Sequence, residues 1–130
     1  MRLNDNYPSI NISSQLASPS SILSFYKHMI TLRKSHRALF IHGRYEVVDP
    51  DDEGMVCFVK HAVEKGRETG RVAVVVLNFG EVERGWRVED VEVVKKGGRR
   101  MRCLVGNVSE GERVEGRLAD WEGRVYVEEE

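Results

Sequence analysis

Val72-Ala73-Val74-Val75-Val76-Leu77-Asn78-Phe79 is the run on which the fold turns. It is almost continuously apolar and β-branched, which suits a central strand covered on both faces better than a half-exposed one. Working outward, residues 44–49 read as a short strand and 50–54 (Pro-Asp-Asp-Glu-Gly) as a turn. Residues 55–61 then form the second arm of a hairpin, and 62–70 a charged loop. Downstream, strands are predicted near 85–88, 91–94, 100–105 and 124–128. Gly97-Gly98 and residues 109–116 are read as loops between them. Short strands with frequent glycine turns argue for an antiparallel β-sandwich.

Ahead of this β region the period changes. Residues 1–17 are polar and aperiodic and read as an extended loop. A helix is predicted next, with Ser18 as N-cap and Pro19 in the first helical position. Ile22, Leu23, Phe25, Tyr26, Met29, Ile30 and Leu32 fill about half of its circumference. Lys34, His36 and Arg37 close it with positive charge, which suits a helix C-terminus. The expected class is mainly β: an antiparallel sandwich over residues 43–130, preceded by one amphipathic helix within 1–42.

Composition narrows the function. The 130 residues favour one domain, and 41% hydrophobic with 32% charged residues describes a globular chain. The net charge of −1 argues against a polyanion-binding protein. Residues 1–43 hold five Lys/Arg against the single Asp5, while 44–130 hold fifteen against twenty acids, which suggests two structural parts. No apolar run is long enough to span a bilayer and no leader pattern opens the chain, so a cytoplasmic location is the default expectation. Cys57 and Cys103 lie far apart in apolar runs and read as free buried thiols. Asn11-Ile12-Ser13 and Asn107-Val108-Ser109 match the glycosylation sequon, read as chance in the absence of a secretory signal.

Several constellations imitate sites. Residues 49–54 resemble the start of a calcium loop, but the position that should close it with a bidentate Glu is Lys60, so a turn is the better reading. Lys95, Lys96, Arg99, Arg100 and Arg102 form the densest basic cluster, with no aromatic among them to stack on a base. They read as a solvated hairpin tip. His28, His36, His42 and His61 show no metal spacing, and none neighbours a nucleophile motif. Glu89/Asp90 and the acids at 128–130 read as solvated charge. Arg33 falls near the centre of the helix's apolar half, where a buried guanidinium needs a partner unless it snorkels to solvent at the helix end; a structural clamp between helix and sandwich is the favoured reading over a ligand role. No catalytic, cofactor-binding or metal-binding residue is assigned, and no cofactor is expected.

One resemblance covers nearly the whole chain. Leu3-Asn4-Asp5-Asn6-Tyr7, then Asn11, Gln15 and Ser21-Ile22-Leu23-Ser24-Phe25-Tyr26-Lys27 leading to Leu32-Arg33-Lys34, resembles the maltase and oligo-1,6-glucosidase branch of the α-amylase superfamily. Gly43 before the first strand, the 74–79 run, and Leu118-Ala119-Asp120-Trp121-Glu122-Gly123-Arg124-Val125-Tyr126 resemble that family's tail domain. Asp120 stands where the family usually has proline, and residues 80–117 depart from the pattern.

The resemblance implies a retaining glycosidase acting on α-linked glucosides, with its nucleophile, acid and supporting aspartate on upstream barrel strands. No catalytic residue can be carried onto this sequence. Residues 1–42 would be the loop and last helix of a (β/α)8 barrel, 43–130 the C-terminal domain, and Asn4–Tyr7 a wall of the active-site rim. Met1-Arg2-Leu3 falls inside the resembling segment, so DNA upstream is expected to encode a barrel. The expectation is therefore a C-terminal part of an α-glucosidase, inactive by itself and prone to self-association through the apolar helix face. No nucleic-acid or membrane partner is expected. The rival is a free-standing β-sandwich that binds carbohydrate or protein. Sugar-binding modules use exposed aromatic platforms, whereas Trp86, Trp121, Tyr45 and Tyr126 are scattered along the sequence. A small stand-alone enzyme is disfavoured for want of a nucleophile or metal motif.

Overall fold

The computed structural model describes residues 3–49 and 51–129. Met1, Arg2, Pro50 and Glu130, which figure in the start-site, turn and acidic-tail readings, lie outside the described residues. The chain divides into two compact units, Met1–His36 and Arg37–Glu130.

Among the described residues the first unit holds two helices. The expected extended loop instead contains α1 (Ile12–Ala17). Asn11 caps it by accepting from the Ser14 amide, and Ser14 Oγ accepts from the Asn11 amide in return. This reciprocal cap is what a period-based reading of so short a helix misses. Ser18 closes α1, so it cannot open the next helix as predicted. That role falls to Ser21, whose Oγ accepts from the Ser24 amide at the start of α2 (Ile22–Ser35). Gln15 ties the two helices together: its side chain accepts from the Leu23 amide at 3.0 Å and its carbonyl from Ser21 Oγ at 2.5 Å. Along α2 only Leu32 is buried. Ile22, Phe25, Tyr26 and Ile30 are exposed.

The second unit opens with a short helix not foreseen, α3 (Arg37–Phe40). Strands β1 (Arg44–Val48), β2 (Met55–Glu64) and β3 (Arg67–Asn78) follow. Between α3 and β1, a Cβ on Gly43 would sit 2.1 Å from the Leu39 carbonyl oxygen, so the chain needs glycine there. The charged loop expected at 62–70 is instead the tip of a long hairpin: Glu64 pairs with Arg67 around Lys65 (φ 49°) and Gly66 (φ 76°). Two consecutive positive φ values make the primed turn that matches strand twist. Ladder hydrogen bonds hold these polar residues in strands, and a register shift between His61 and Val63 leaves Ala62 buried.

Next come β4 (Arg84–Gly85), α4 (Glu92–Gly97), β5 (Met101–Gly106), β6 (Arg117–Leu118) and β7 (Gly123–Glu128). Two strand predictions fail here. Residues 85–88 give only the end of β4, and 92–94 are helical, with Val91 as the extended N-cap of α4. Val88, Val91 and Val94 recur every third residue and all three point into the core, a spacing a strand cannot present to one face. Gly98 at φ 57° ends α4, so Gly97-Gly98 is a helix terminus and not a hairpin tip.

The large sheet has the order β1-β2-β3-β7-β5, all antiparallel, and β4-β6 form a second, two-stranded sheet. Alternation along β2 and β3 sends Cys57, Val59, Val72, Val74 and Val76 to one face, where they meet Leu118 of β6 and the three valines around α4. On the opposite face Ala62, Ala73 and Val127 meet Leu39 of α3. The antiparallel sandwich is therefore present with unequal layers: five strands against a ribbon and a short helix. Val72, Ala73, Val74 and Val76 are all at most 1% exposed, the two-sided burial that the continuous apolar run implied.

Candidate functional site

The polar centre of the second unit is built at the start of β7, where Glu122, Arg124 and Tyr126 alternate onto one face of the sheet. Glu122 and Arg124 are charged yet only 2% and 5% exposed. Arg124 Nε donates to Glu122 Oε1 at 2.6 Å and Nη2 to Oε2 at 3.0 Å. Nη2 also donates to the carbonyls of Arg117 (2.7 Å) and Val114 (3.2 Å), and Nη1 to the Tyr126 hydroxyl (3.3 Å). Glu122 Oε2 further accepts from the Ala119 amide at 2.8 Å. Asn78, also buried, extends the network: its amide donates to the Glu122 carbonyl and its side chain to the carbonyls of Val82 and Ala119.

Burial pushes the Glu122 carboxyl up, but the Arg124 guanidinium and the Ala119 amide outweigh it and hold the group below the usual carboxylate range. Burial likewise works against charge on Arg124, and Glu122 reverses it, so the guanidinium stays protonated. Burial raises the Tyr126 hydroxyl, with Arg124 pulling the other way. Each member of this cluster is spent on another member or on backbone. It is a staple joining β7 to the 114–119 segment, and sequence reasoning missed it. Glu-Gly-Arg-Val-Tyr-Val puts two charges and a phenol at period two opposite Val125 and Val127, a pattern that places them on one face without saying that the face is buried.

The residues weighed from sequence are dispersed. Asp52 accepts from the Gly54 and Met55 amides and receives Arg84 Nη1 on both oxygens at 2.7 Å, so residues 51–54 work as a turn. The backbone bond to Gly54 and the Arg84 charge lower the Asp52 carboxyl against its burial. Lys60 donates to the Gly43 carbonyl at 2.6 Å. In the basic cluster, Lys96 pairs with Glu92 on α4, and Arg99 Nη1 donates to both oxygens of Glu128. These two are therefore not free for a polyanion. Arg87 Nε lies 3.8 Å from Glu89.

His28 and His42 are exposed. His61 Nε2 lies 2.9 Å from Glu46, which also receives Arg44, and Arg44 bonds Glu68 as well. These contacts lower the Glu46 and Glu68 carboxyls. Arg33 is exposed, not the buried clamp its place on the wheel implied; the apolar half around it is itself largely in solvent. Cys57 and Cys103 are free; burial pushes the Cys57 thiol up to about 11, out of the reactive range. Cys103 is only partly buried and receives Arg113 Nη1 at 3.4 Å. Both sequon asparagines spend their side chains locally, Asn11 on the α1 cap and Asn107 on the Trp121 carbonyl and Gly123 amide.

Tertiary structure gathers aromatics the sequence left scattered. Trp86 and Tyr126 rings lie 5.7 Å apart against the core, and Tyr45 lies 4.9 Å from Phe58. Trp121 and Phe79 remain 55% and 54% exposed. An open groove of about 620 Å³ runs between β1 and α4, with Val48, Val59, Val91 and Val93 in its lining and Glu46, His61, Lys96 and Arg99 among its polar residues. Among the described residues no group of three or more His, Cys, Asp or Glu side chains could hold a metal ion, and no helix is long and apolar enough to cross a membrane.

No family model matches the chain. Individual relatives do. It is 33% identical over 129 residues to an α-glucosidase of Candida albicans, spanning 98% of this chain and 20% of that protein. It is 32% identical over 127 residues to an oligo-1,6-glucosidase of Parageobacillus thermoglucosidasius, spanning 95% of this chain and 21% of the relative. In three dimensions it matches a trehalose-6-phosphate hydrolase of Bacillus licheniformis with a TM-score of 0.77 at 22% identity, over 98% of this chain and 22% of that one. A trehalulose synthase of Pseudomonas mesoacidophila gives 0.74 at 23% identity.

The antiparallel fold is thus that of a β domain carried by sugar-acting enzymes. The chain belongs with the α-glucosidases and oligo-1,6-glucosidases of the α-amylase superfamily, as a C-terminal part matching about 20% of the relatives' length.

Proposed function

We propose that this chain is the tail of an α-glucosidase whose chemistry is carried elsewhere in the protein. Residues 1–42 supply the loop and last helix of a (β/α)8 barrel, and residues 43–130 form the domain that follows it. The complete enzyme hydrolyses α-linked glucosides such as maltose or isomaltose with retention, using a carboxylate nucleophile and an acid about 5–5.5 Å apart at barrel strand ends. Asn4–Tyr7 line the rim of that site as a wall. The chain holds no catalytic, cofactor or metal residue, pairs with no nucleic acid or membrane, and resides in the cytoplasm. Its two free cysteines fit a reducing compartment.

The observation that carries this reading is the alignment of nearly the whole chain with about 20% of an α-glucosidase. Electrostatics supports it. A glycosidase acid needs a raised pKa, whereas the carboxylates shifted clearly among the described residues, Glu46, Asp52, Glu68 and Glu122, are all lowered by cationic or amide partners. The test has two arms. The purified chain should release no glucose from maltose, isomaltose or an aryl α-glucoside. Grafted in place of the matching segment of the Parageobacillus relative, it should leave a hybrid with measurable activity. Turnover by the chain alone, abolished on replacing one of its own Asp or Glu residues, would overturn the proposal.

A further inference from the structure

Residues 4–10 form no helix or strand, yet their backbone is closed on itself. The Tyr7 amide donates to the Asn4 carbonyl at 3.1 Å, and the Ser9 and Ile10 amides donate to the Asn6 carbonyl at 3.0 and 2.9 Å. Their larger apolar side chains stay in solvent: Tyr7 and Ile10 are 57% and 59% exposed. Ordering a backbone costs conformational entropy, and here no buried side chain offsets it, so hydrogen bonds must hold the segment in shape.

Asn11 is the centre of that hold. Its Nδ2 donates to the Tyr7 carbonyl and to the Pro8 carbonyl, both at 3.1 Å, while its Oδ1 accepts from the Ser14 amide at 2.9 Å. Two acceptors on one side and a donor on the other suit a single orientation of the side-chain amide. Ser14 Oγ adds a bond to the Ser9 carbonyl at 3.2 Å. The two ends of one side chain thus act differently. Oδ1 caps α1, as an Asp or Ser oxygen would do equally well. Nδ2 closes the turns of residues 4–8, which takes a donor that Asp lacks and that the shorter Ser cannot extend to both carbonyls. From α1 the hold continues to α2, because Gln15 Oε1 accepts from the Leu23 amide.

We propose that Asn11 is a positioning residue for the active-site rim: its Nδ2 sets the conformation of the turns that carry Asn4–Tyr7, and with it the shape of the wall facing the substrate. This role rests on the reading of Asn4–Tyr7 as that rim. Asn11 touches no substrate itself and acts through the Tyr7 and Pro8 carbonyls. Wall contacts made alike in ground and transition states govern KM and leave kcat in place.

The experiment uses the hybrid enzyme, with this chain grafted into the Parageobacillus relative, and compares the parent graft with Asn11→Asp and Asn11→Ser. Both variants keep an α1 cap, and Asn11→Ser does so without adding charge. Each should raise KM for isomaltose roughly five- to tenfold while kcat stays within about twofold. The Tm of each should lie within about 2 °C of the parent. In the 130-residue chain, the Tyr7, Ser9 and Ile10 amides should exchange with solvent about threefold faster or more in both variants, and the Leu23 amide at its parent rate. The proposal is overturned by an unmoved KM in either variant, by a kcat that falls as far as KM rises, by unchanged exchange at residues 7–10, or by a Tm lowered by more than about 5 °C, which would show a cap and nothing else. An inactive parent hybrid would overturn the α-glucosidase reading and this role with it. An active parent hybrid whose variants match it in KM would overturn the role alone.

Discussion

Replacing Arg124 by Met removes the cation from the buried staple while keeping most of its apolar stem. Five hydrogen bonds are lost with the guanidinium, one of them from Nη1 to the Tyr126 hydroxyl. Glu122, 2% exposed, loses both of its guanidinium contacts, and the carbonyls of Arg117 and Val114 lose their Nη2 donor. Stranding one member of a buried ion pair costs about 3–5 kcal/mol, and a single domain's whole margin is about 5–15 kcal/mol. With a urea m-value of about 2 kcal/mol/M, the midpoint should fall by roughly 1.5–2.5 M at unchanged m. The control is the double variant Glu122→Leu with Arg124→Met. Replacing a buried pair as a whole by apolar groups is often neutral or stabilising, so the double variant should recover much of the loss. A single-variant cost below about 1 kcal/mol, or a double variant less stable than Arg124→Met alone, would refute the idea that an uncompensated buried charge dominates here.

The same network predicts an acid limb. The folded pKa of Glu122 is lowered, so its contribution is complete above the unfolded carboxylate value of about 4.3 and is lost as pH falls through the folded value. Urea midpoints measured from pH 6 to pH 2.5 should drop less steeply for Glu122→Gln than for the parent chain; equal slopes would remove Glu122 from the account. On α2, Ile22, Tyr26 and Ile30 are 70%, 63% and 51% exposed, and self-association through this face is the expected outcome. Phe25→Lys with Met29→Lys should shift a sedimentation profile toward monomer while leaving the second unit's unfolding transition in place. Unfolding of the whole chain by that double variant would show the helix to be part of one core.

What could be read without a structure followed from periodicity. The 72–79 run announced a strand buried on two faces, because seven apolar residues in eight, four of them valine, leave no side for water. The apolar residues of 22–32 announced a helix for the same kind of reason, and the motifs at 3–34 and 118–126 pointed to the α-glucosidases. Where the sequence misled, a local signal competed with one that depends on distant partners. Val91–Val94 has strand propensity, but its spacing of three with Val88 lets Val88, Val91 and Val94 together fill the space over β2 and β3, and burial outweighs propensity. Residues 62–70 look like a loop because they are polar, yet a two-residue turn and backbone pairing suffice to make them strands.

Sequence alone therefore determined the class and the family, since both are written in neighbouring residues. The tertiary structure decided which charges are buried. Glu122 and Arg124 are two residues apart in a stretch that reads as ordinary surface strand, and only the carbonyls of Val114 and Arg117, brought alongside by the fold, make a buried guanidinium affordable. It also decided that Trp121 stands in solvent at positive φ, because that depends on Gly80 and Asn107 arriving from the segments after β3 and β5 to hold the turn. Burial and backbone strain are properties of the assembled neighbours, and no window of sequence contains them.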